Sequence, residues 1–264
     1  MILDKIVDST RIRVQKSYEN ESLESVKKRA FEEYEKQKEN EFSFEKALDK
    51  KPIALICEVK KASPSKGLIA KDFDYVNIAK EYEKAGAACI SVLTEPEFFL
   101  GSNDYLKEIS ENVKIPIIRK DFVIDEYQIY EARTIGASAV LLICAILNEE
   151  KIKEYIKIAD SIGLSSVVEA HDDEEVLMAK RCGARIIGVN NRNLKDFTVD
   201  IKNSLRYRRM VDDDVKFISE SGIKTADDIK KLVDNNVNAV LIGETLMRSE
   251  DKAGMIKELL SKTV

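Results

Sequence analysis

Several apolar runs in this chain end on a side chain that does not belong in a hydrophobic interior: Glu58 with Lys60, Lys120, Glu169, Asn190 and Ser221. Ammonium, carboxylate, amide and hydroxyl groups are the inventory for moving protons around a small bound molecule. Buried parallel strands read as near-continuous apolar runs, and in a closed parallel sheet function gathers at their C-terminal ends. The recurrence therefore predicts one polar site on one rim of such a sheet.

Side chains alternate along a strand, so Glu58 and Lys60 share a side. Two readings stand for them: a buried ion pair that fixes register, or a working pair at the mouth. The stretch Ser63-Pro64-Ser65-Lys66-Gly67 offers hydroxyls, amides and a glycine for closing over a ligand, although alone it is an ordinary turn. Lys120 is in phase with Ile118. If Ile118 lines the interior, the Lys120 ammonium can protonate a carbonyl as it gains negative charge; a lysine reaching to solvent is the competing reading. Glu169 is in phase with Val167 and is the better candidate base, while His171 falls at the start of the next helix as a local polar contact.

The run Asn190-Asn191-Arg192-Asn193 supplies amides and a guanidinium, able to orient hydroxyls and to grip a carboxylate two-pronged, or else makes a plain Asn-rich turn. Ser221-Gly222 and Gly243 follow the last two apolar runs. Backbone amides can approach a phosphate there, and loops after the seventh and eighth strands are the usual phosphate site of a parallel barrel.

Composition narrows the chemistry further. The chain has 264 residues, 44% hydrophobic and 34% charged, enough for a sizeable core and too apolar for disorder. A net charge of -5 opposes nucleic-acid binding. No apolar run reaches the roughly 18 residues of a membrane span, and the N-terminus has no signal-like core, so the expectation is a cytoplasmic protein with neither nucleic acid nor membrane as partner. One histidine, His171, leaves no material for a multi-histidine metal site, and no metal is expected. Cys57, Cys89, Cys144 and Cys182 form no CxxC pair and read as small structural hydrophobes.

The elements that must position these groups repeat. Four times a helical stretch ends near Gly or Asn and an apolar strand begins at once, over 85–93, 136–143, 183–189 and 236–242. Gly and Asn tolerate the left-handed conformation that stops a helix, so each is an αβ junction. Further apolar runs over 52–60, 116–120, 164–169 and 215–221 bring the strand count to eight. Amphipathic helices are expected between them, for example over 74–84, 125–135, 148–162, 172–182 and 225–234, several opening on Asp, Asn or Thr caps. The fold class is α/β, a (β/α)8 TIM barrel. Residues 1–264 form a single barrel domain, of which 1–50 is an N-terminal helical extension with helices over 2–18 and 22–40.

The ordered motifs are Glu58-Val59-Lys60-Lys61-Ala62-Ser63-Pro64-Ser65-Lys66-Gly67, Ser91-Val92-Leu93-Thr94 with Phe99-Leu100-Gly101-Ser102, Arg119-Lys120-Asp121-Phe122, Val168-Glu169, Gly188-Val189-Asn190-Asn191-Arg192-Asn193-Leu194 and Ser219-Glu220-Ser221-Gly222-Ile223. Taken together, they resemble those of the indole-3-glycerol phosphate synthase family of tryptophan biosynthesis. The resemblance implies a carboxy-lyase that closes an indole ring from a carboxyphenylamino deoxyribulose phosphate without a cofactor. It implies Lys120 as general acid, Glu169 as base for the later dehydration and Lys60 as a second essential lysine. Glu58, Ser63, Asn190 and Arg192 would orient the substrate, and Ser221, Gly222 and Gly243 would hold its phosphate. Glu244 stands where many members carry a small residue, which puts an anion near that phosphate. The expected partner is a small phosphorylated substrate, with other tryptophan-pathway enzymes as further candidates. The rival readings are another phosphate-binding barrel, such as phosphoribosylanthranilate isomerase, and a non-catalytic barrel scaffold.

Overall fold

The computed structural model describes residues 2–193 and 197–263; Leu194, last in the motif quoted above, lies outside the described residues. The eight expected strands form in order: β1 (Ala54–Val59), β2 (Cys89–Leu93), β3 (Ile117–Lys120), β4 (Ala139–Ile143), β5 (Ser165–Ala170), β6 (Ile186–Asn190), β7 (Lys216–Glu220) and β8 (Ala239–Ile242). Each pairs in parallel with the next, and β8 closes onto β1 with Ala54 opposite Ala239. The helices are α1 (Ile2–Asn20), α2 (Leu23–Lys36), α3 (Ser43–Ala47), α4 (Tyr75–Lys84), α5 (Asn103–Ser110), α6 (Glu126–Thr134), α7 (Glu149–Ser161), α8 (Asp173–Arg181), α9 (Lys202–Arg208), α10 (Ala226–Val233), α11 (Glu244–Met247) and α12 (Lys252–Leu260).

Local chemistry sets the boundaries. Asp74, Asn148, Asp172 and Thr225 cap α4, α7, α8 and α10 by accepting a backbone N–H from the first turn. At the junctions Gly86, Gly136, Gly183 and Asn236 take positive φ values of 96°, 92°, 76° and 57°, the left-handed stops expected from the sequence. Four strand ends differ from expectation by one residue: β1 stops at Val59, β5 and β6 run on to Ala170 and Asn190, and β7 stops at Glu220, because Ser221 turns left-handed with φ 67°.

Strand alternation divides the core in two. Ala54, Ile56, Ile118, Ala139, Leu141, Val167, Ile186, Ile218, Ala239 and Leu241 fill the barrel interior. Leu55, Cys57, Val59, Val92, Val140, Val168, Val189 and Val240 pack outward against the helices. Glu58, Lys120, Glu169 and Glu220 continue the inward series by two-residue steps, so they meet inside the barrel at the C-terminal end.

The first 50 residues contribute at both ends. Phe44 of α3 and the adjacent Leu48 pack with Ala54, Cys89, Ile186 and Ala239, closing the barrel at the strands' N-terminal end. Burying two such side chains stabilises by about 1.5–3 kcal/mol each. Helix α2 lies along α6, with Phe31 against Tyr130 and the Arg133 guanidinium over Tyr34. Helix α1 crosses to the opposite rim. There Arg13 grips Asp121 two-pronged at 2.7 and 2.6 Å.

Asp121 also accepts from Thr94 Oγ1 at 2.6 Å and from the Phe122 N–H at 2.8 Å, and the fully buried Arg119 stands 3.3 Å away. Burial opposes ionisation of Asp121, but Arg13 and Arg119 hold its carboxyl well below the usual carboxylate range. A depressed pKa contributes stability that is full above the unfolded value, about 3.9, and is lost as pH falls below it. Asp121→Asn should therefore lower the unfolding free energy at pH 7 by roughly 3–5 kcal/mol in urea titrations, with the gap narrowing below about pH 4. A difference under about 1 kcal/mol would show that this ion pair does not hold α1 to the barrel.

Candidate active site

The inward polar residues surround a cavity of about 850 Å³ at the C-terminal ends of the strands. At its centre the Lys120 ammonium donates to Glu169 Oε2 at 2.6 Å and to Glu220 Oε2 at 2.7 Å. All three side chains are largely withdrawn from solvent. Burial alone would lower the Lys120 pKa, but the two carboxylates hold it well above that of an ordinary lysine. One ammonium cannot compensate two carboxylates equally. Burial opposes ionisation of Glu169, yet Lys120 and His171 pull its pKa well down. Glu220 moves the other way: burial, opposed by Lys120 and reinforced by the charge of Glu169, pushes it up to about 7.

Beside this triad the Lys60 ammonium donates to Glu58 Oε1, and both line the cavity. The two therefore form an ion pair on the cavity wall. Ser63 is buried on a short hairpin, Ala62–Ser63 against Gly67–Leu68, so the expected loop is an ordered arm. Asn190 Nδ2 stands 3.5 Å from Glu169 Oε1, and its Oδ1 accepts the Arg192 N–H at 3.1 Å. Its neighbour Asn191 is buried, where it holds Ser219 Oγ and the Ser221 carbonyl, both at 3.1 Å. Asn191 shapes the turn that carries Ser221 and Gly222, while Asn190 reaches the cavity.

The cavity has two kinds of wall. Toward β2, β3 and β4 it is apolar, lined by Leu93, Phe99, Phe122, Leu141 and Ile143, with Ile2, Leu3 and Ile6 of α1 added. Toward β7, β8 and β1 it is polar, with Ser221, Gly222, Gly243, Ser63, Lys60 and Lys66. Ser221 and Gly222 are consecutive left-handed residues, φ 67° and 84°. Such a turn can aim successive amides at an anion. Gly243 leaves room for the Glu58–Lys60 pair, since a Cβ there would collide with Glu58 Oε1. Glu244 lies at this end and is held by Arg248 Nε at 3.1 Å and Lys66 Nζ at 3.6 Å.

Residues 3–259 match the family model for indole-3-glycerol phosphate synthase. The chain belongs to the indole-3-glycerol phosphate synthase family. It is 58% identical over 259 residues to the indole-3-glycerol phosphate synthase of Ruminiclostridium cellulolyticum, covering 98% of each chain. Identity is also 58% to the Endomicrobium trichonymphae protein of that name, over 98% of this chain and 99% of the relative. Among solved structures, 3-hexulose-6-phosphate synthase from Salmonella typhimurium superposes with a TM-score of 0.65 at 14% identity, covering 79% of this chain and 97% of the other, a likeness of fold alone. By family membership the chain is a carboxy-lyase of tryptophan biosynthesis. Cys57 of β1 packs outward against the helices and does not face the cavity. No helix among the described residues is long and apolar enough to cross a membrane.

Two groups in contact with the expected site residues escaped the sequence reading. Glu220 is legible from its two-residue step after Ile218, but a strand expected to end on Ser221 puts the polar rim residue one position later. The local polar contact expected of His171 is present, Nδ1 to Glu175 Oε2 at 3.1 Å, but its Nε2 also lies 3.2 Å from Glu169 Oε1.

The Glu169 and Glu220 carboxyls should titrate as one coupled pair, with one proton retained to about pH 7 because Glu220 is raised. Carbon-13 NMR of glutamate-labelled protein should show a carboxyl with a midpoint near 7 that disappears in Glu220→Gln. Persistence of that titration in the variant would assign it elsewhere.

Proposed function

We propose that Lys120 is the general acid and Glu169 the general base in closing the indole ring of 1-(2-carboxyphenylamino)-1-deoxyribulose 5-phosphate, with loss of carbon dioxide and water. The observation that carries this reading is the Lys120 ammonium held between two buried carboxylates in a cavity with one apolar and one polar wall. Ring closure joins the carboxylate-bearing ring carbon to the substrate's carbonyl carbon, and negative charge moves onto the carbonyl oxygen. A held ammonium meets that charge as it develops and donates its proton. Carbon dioxide then leaves with its bonding electrons returned to the ring, and departure of the new hydroxyl as water requires a proton to be taken from the substrate. Glu169, kept ionised by its partners, is suited to take it.

The two walls suit the two ends of that substrate. The phenyl group would lie against Phe99, Phe122, Leu141 and Ile143, and the phosphate against the Ser221, Gly222 and Gly243 turns, near Lys60. Lys60 serves as the second essential lysine, its ammonium fixed by Glu58. Ser63, Asn190 and Arg192 orient the hydroxyls and carboxylate, supported by their places on the cavity wall. Glu244 engages Lys66 and Arg248, which leaves backbone amides as the main phosphate donors at that turn. The cytoplasm as its place, and other tryptophan-pathway enzymes as partners, are proposed on the family alone.

Lys120→Ala should lower kcat by roughly 100- to 10,000-fold with little change in KM, because the interaction forms fully only in the transition state. The indole product's fluorescence reports turnover, and the chain's lack of Trp keeps the background low. Near-normal turnover in a variant whose circular dichroism melt is unchanged would sink the assignment.

A further inference from the structure

His171 is the chain's only histidine, and it sits behind the active site with little solvent contact. It follows Glu169 by two residues, just past the end of β5, and its ring lies beside the Glu169 carboxylate. The next residue, Asp172, caps α8 by accepting the Glu175 N–H at 2.9 Å. That cap fixes Glu175 in the first turn of α8, facing back along the chain. Glu175 Oε2 takes the His171 backbone N–H at 2.8 Å and lies 3.1 Å from the ring Nδ1. With one nitrogen committed to Glu175, the other is aimed at Glu169, Nε2 to Oε1 at 3.2 Å, close but out of line for a good hydrogen bond.

We infer that His171 is a positioning residue: Glu175 fixes its ring, and the ring holds Oε1 of Glu169 so that Oε2 faces Lys120. The inference rests on the reading of Glu169 as the base. An imidazole flanked by two carboxylates is favoured as the cation, and here burial would lower the His171 pKa but Glu169 and Glu175 raise it to about 10. The groups facing it and its partners are few. Lys120 and Glu220 face Glu169 from β3 and β7, and Asn190 from β6. Cys144 lies behind Glu175, its thiol kept neutral by burial, and Arg206 and Tyr207 of α9 face the Asp173 and Glu175 end. With its pKa raised, His171 stays charged through neutral pH and lowers the proton affinity of Glu169, which must be ionised to accept a proton.

Because the histidine is unique, NMR of its ring Cε1–H in untagged protein reports it without ambiguity. In the wild type its titration should lie well above 7, and both Glu169→Gln and Glu175→Gln should shift the midpoint downward by at least about one pH unit. A midpoint unmoved by Glu169→Gln would overturn the inference whatever that variant's activity. If Glu169→Gln instead retains normal turnover, the base assignment fails and the inference with it, although the contact itself survives in the titration. Kinetics then separate positioning from mere packing. His171→Asn can reach Glu175 but not Glu169; it should lose about tenfold in kcat with KM within twofold, and the acid limb of the kcat profile should move up in pH. His171→Gln restores a neutral donor toward Glu169 and should recover much of that loss. Equal losses in both variants with an unmoved acid limb would overturn the proposal.

Discussion

The structure turns on one ammonium buried between two carboxylates. A charge placed inside a barrel is costly unless another charge meets it at hydrogen-bond distance, and an unmatched one would take up or lose a proton instead. Lys120, Glu169 and Glu220 satisfy this requirement together, because each reaches the same point from a different strand. The two glutamates are nonetheless not equivalent. Glu169 is faced in addition by the Asn190 amide and the charge of the His171 ring, so its proton is repelled, while Glu220 sits beside that negative charge and holds its own proton to higher pH. Pairs of like groups driven apart by their surroundings are how one site can keep a base and a proton-bearing carboxyl side by side.

Space for these charges is made by what is missing opposite them. A Cβ at Gly188 would fall 2.5 Å from Glu220 Oε1, and one at Gly243 would collide with Glu58 and come within 2.9 Å of Lys60 Nζ. Neither glycine has positive φ, so volume rather than backbone freedom is what these positions require. The inward series of β1, β3, β5 and β7 therefore has two parts: small or aliphatic residues low in the barrel, and a long charged residue near the mouth, with Gly188 and Gly243 leaving room for Glu220 and Glu58.

This division explains what could be read from the sequence. Strand phase is a local property with a period of two, so Ile118 predicts the direction of Lys120, and Val167 that of Glu169, without knowledge of any contact. The left-handed stops at Gly86, Gly136, Gly183 and Asn236 were legible for the same reason. Glu220 follows the same rule and was hidden only by a strand read one residue too long, since Ser221 looks like a strand residue until its backbone turns left-handed. His171 lies beyond the strand, where phase no longer speaks, and its direction depends on how α8 is capped. The Arg13–Asp121 pair joins residues 108 apart in sequence, and no local pattern announces a partner at that distance.

The N-terminal extension belongs to this electrostatic arrangement as much as to the fold. At the lower end Phe44 and Leu48 seal the barrel and keep its interior apolar. A low-dielectric interior strengthens every paired charge above it, and makes every unpaired one more costly. At the upper end Arg13 of α1 is fixed to Asp121, which immediately follows Lys120. The backbone bearing the ammonium is thus tied through its next residue to a helix outside the barrel, and Ile2, Leu3 and Ile6 of that helix form part of the cavity wall. One segment therefore dries the interior from below and anchors the rim above, and the Lys120 site depends on both.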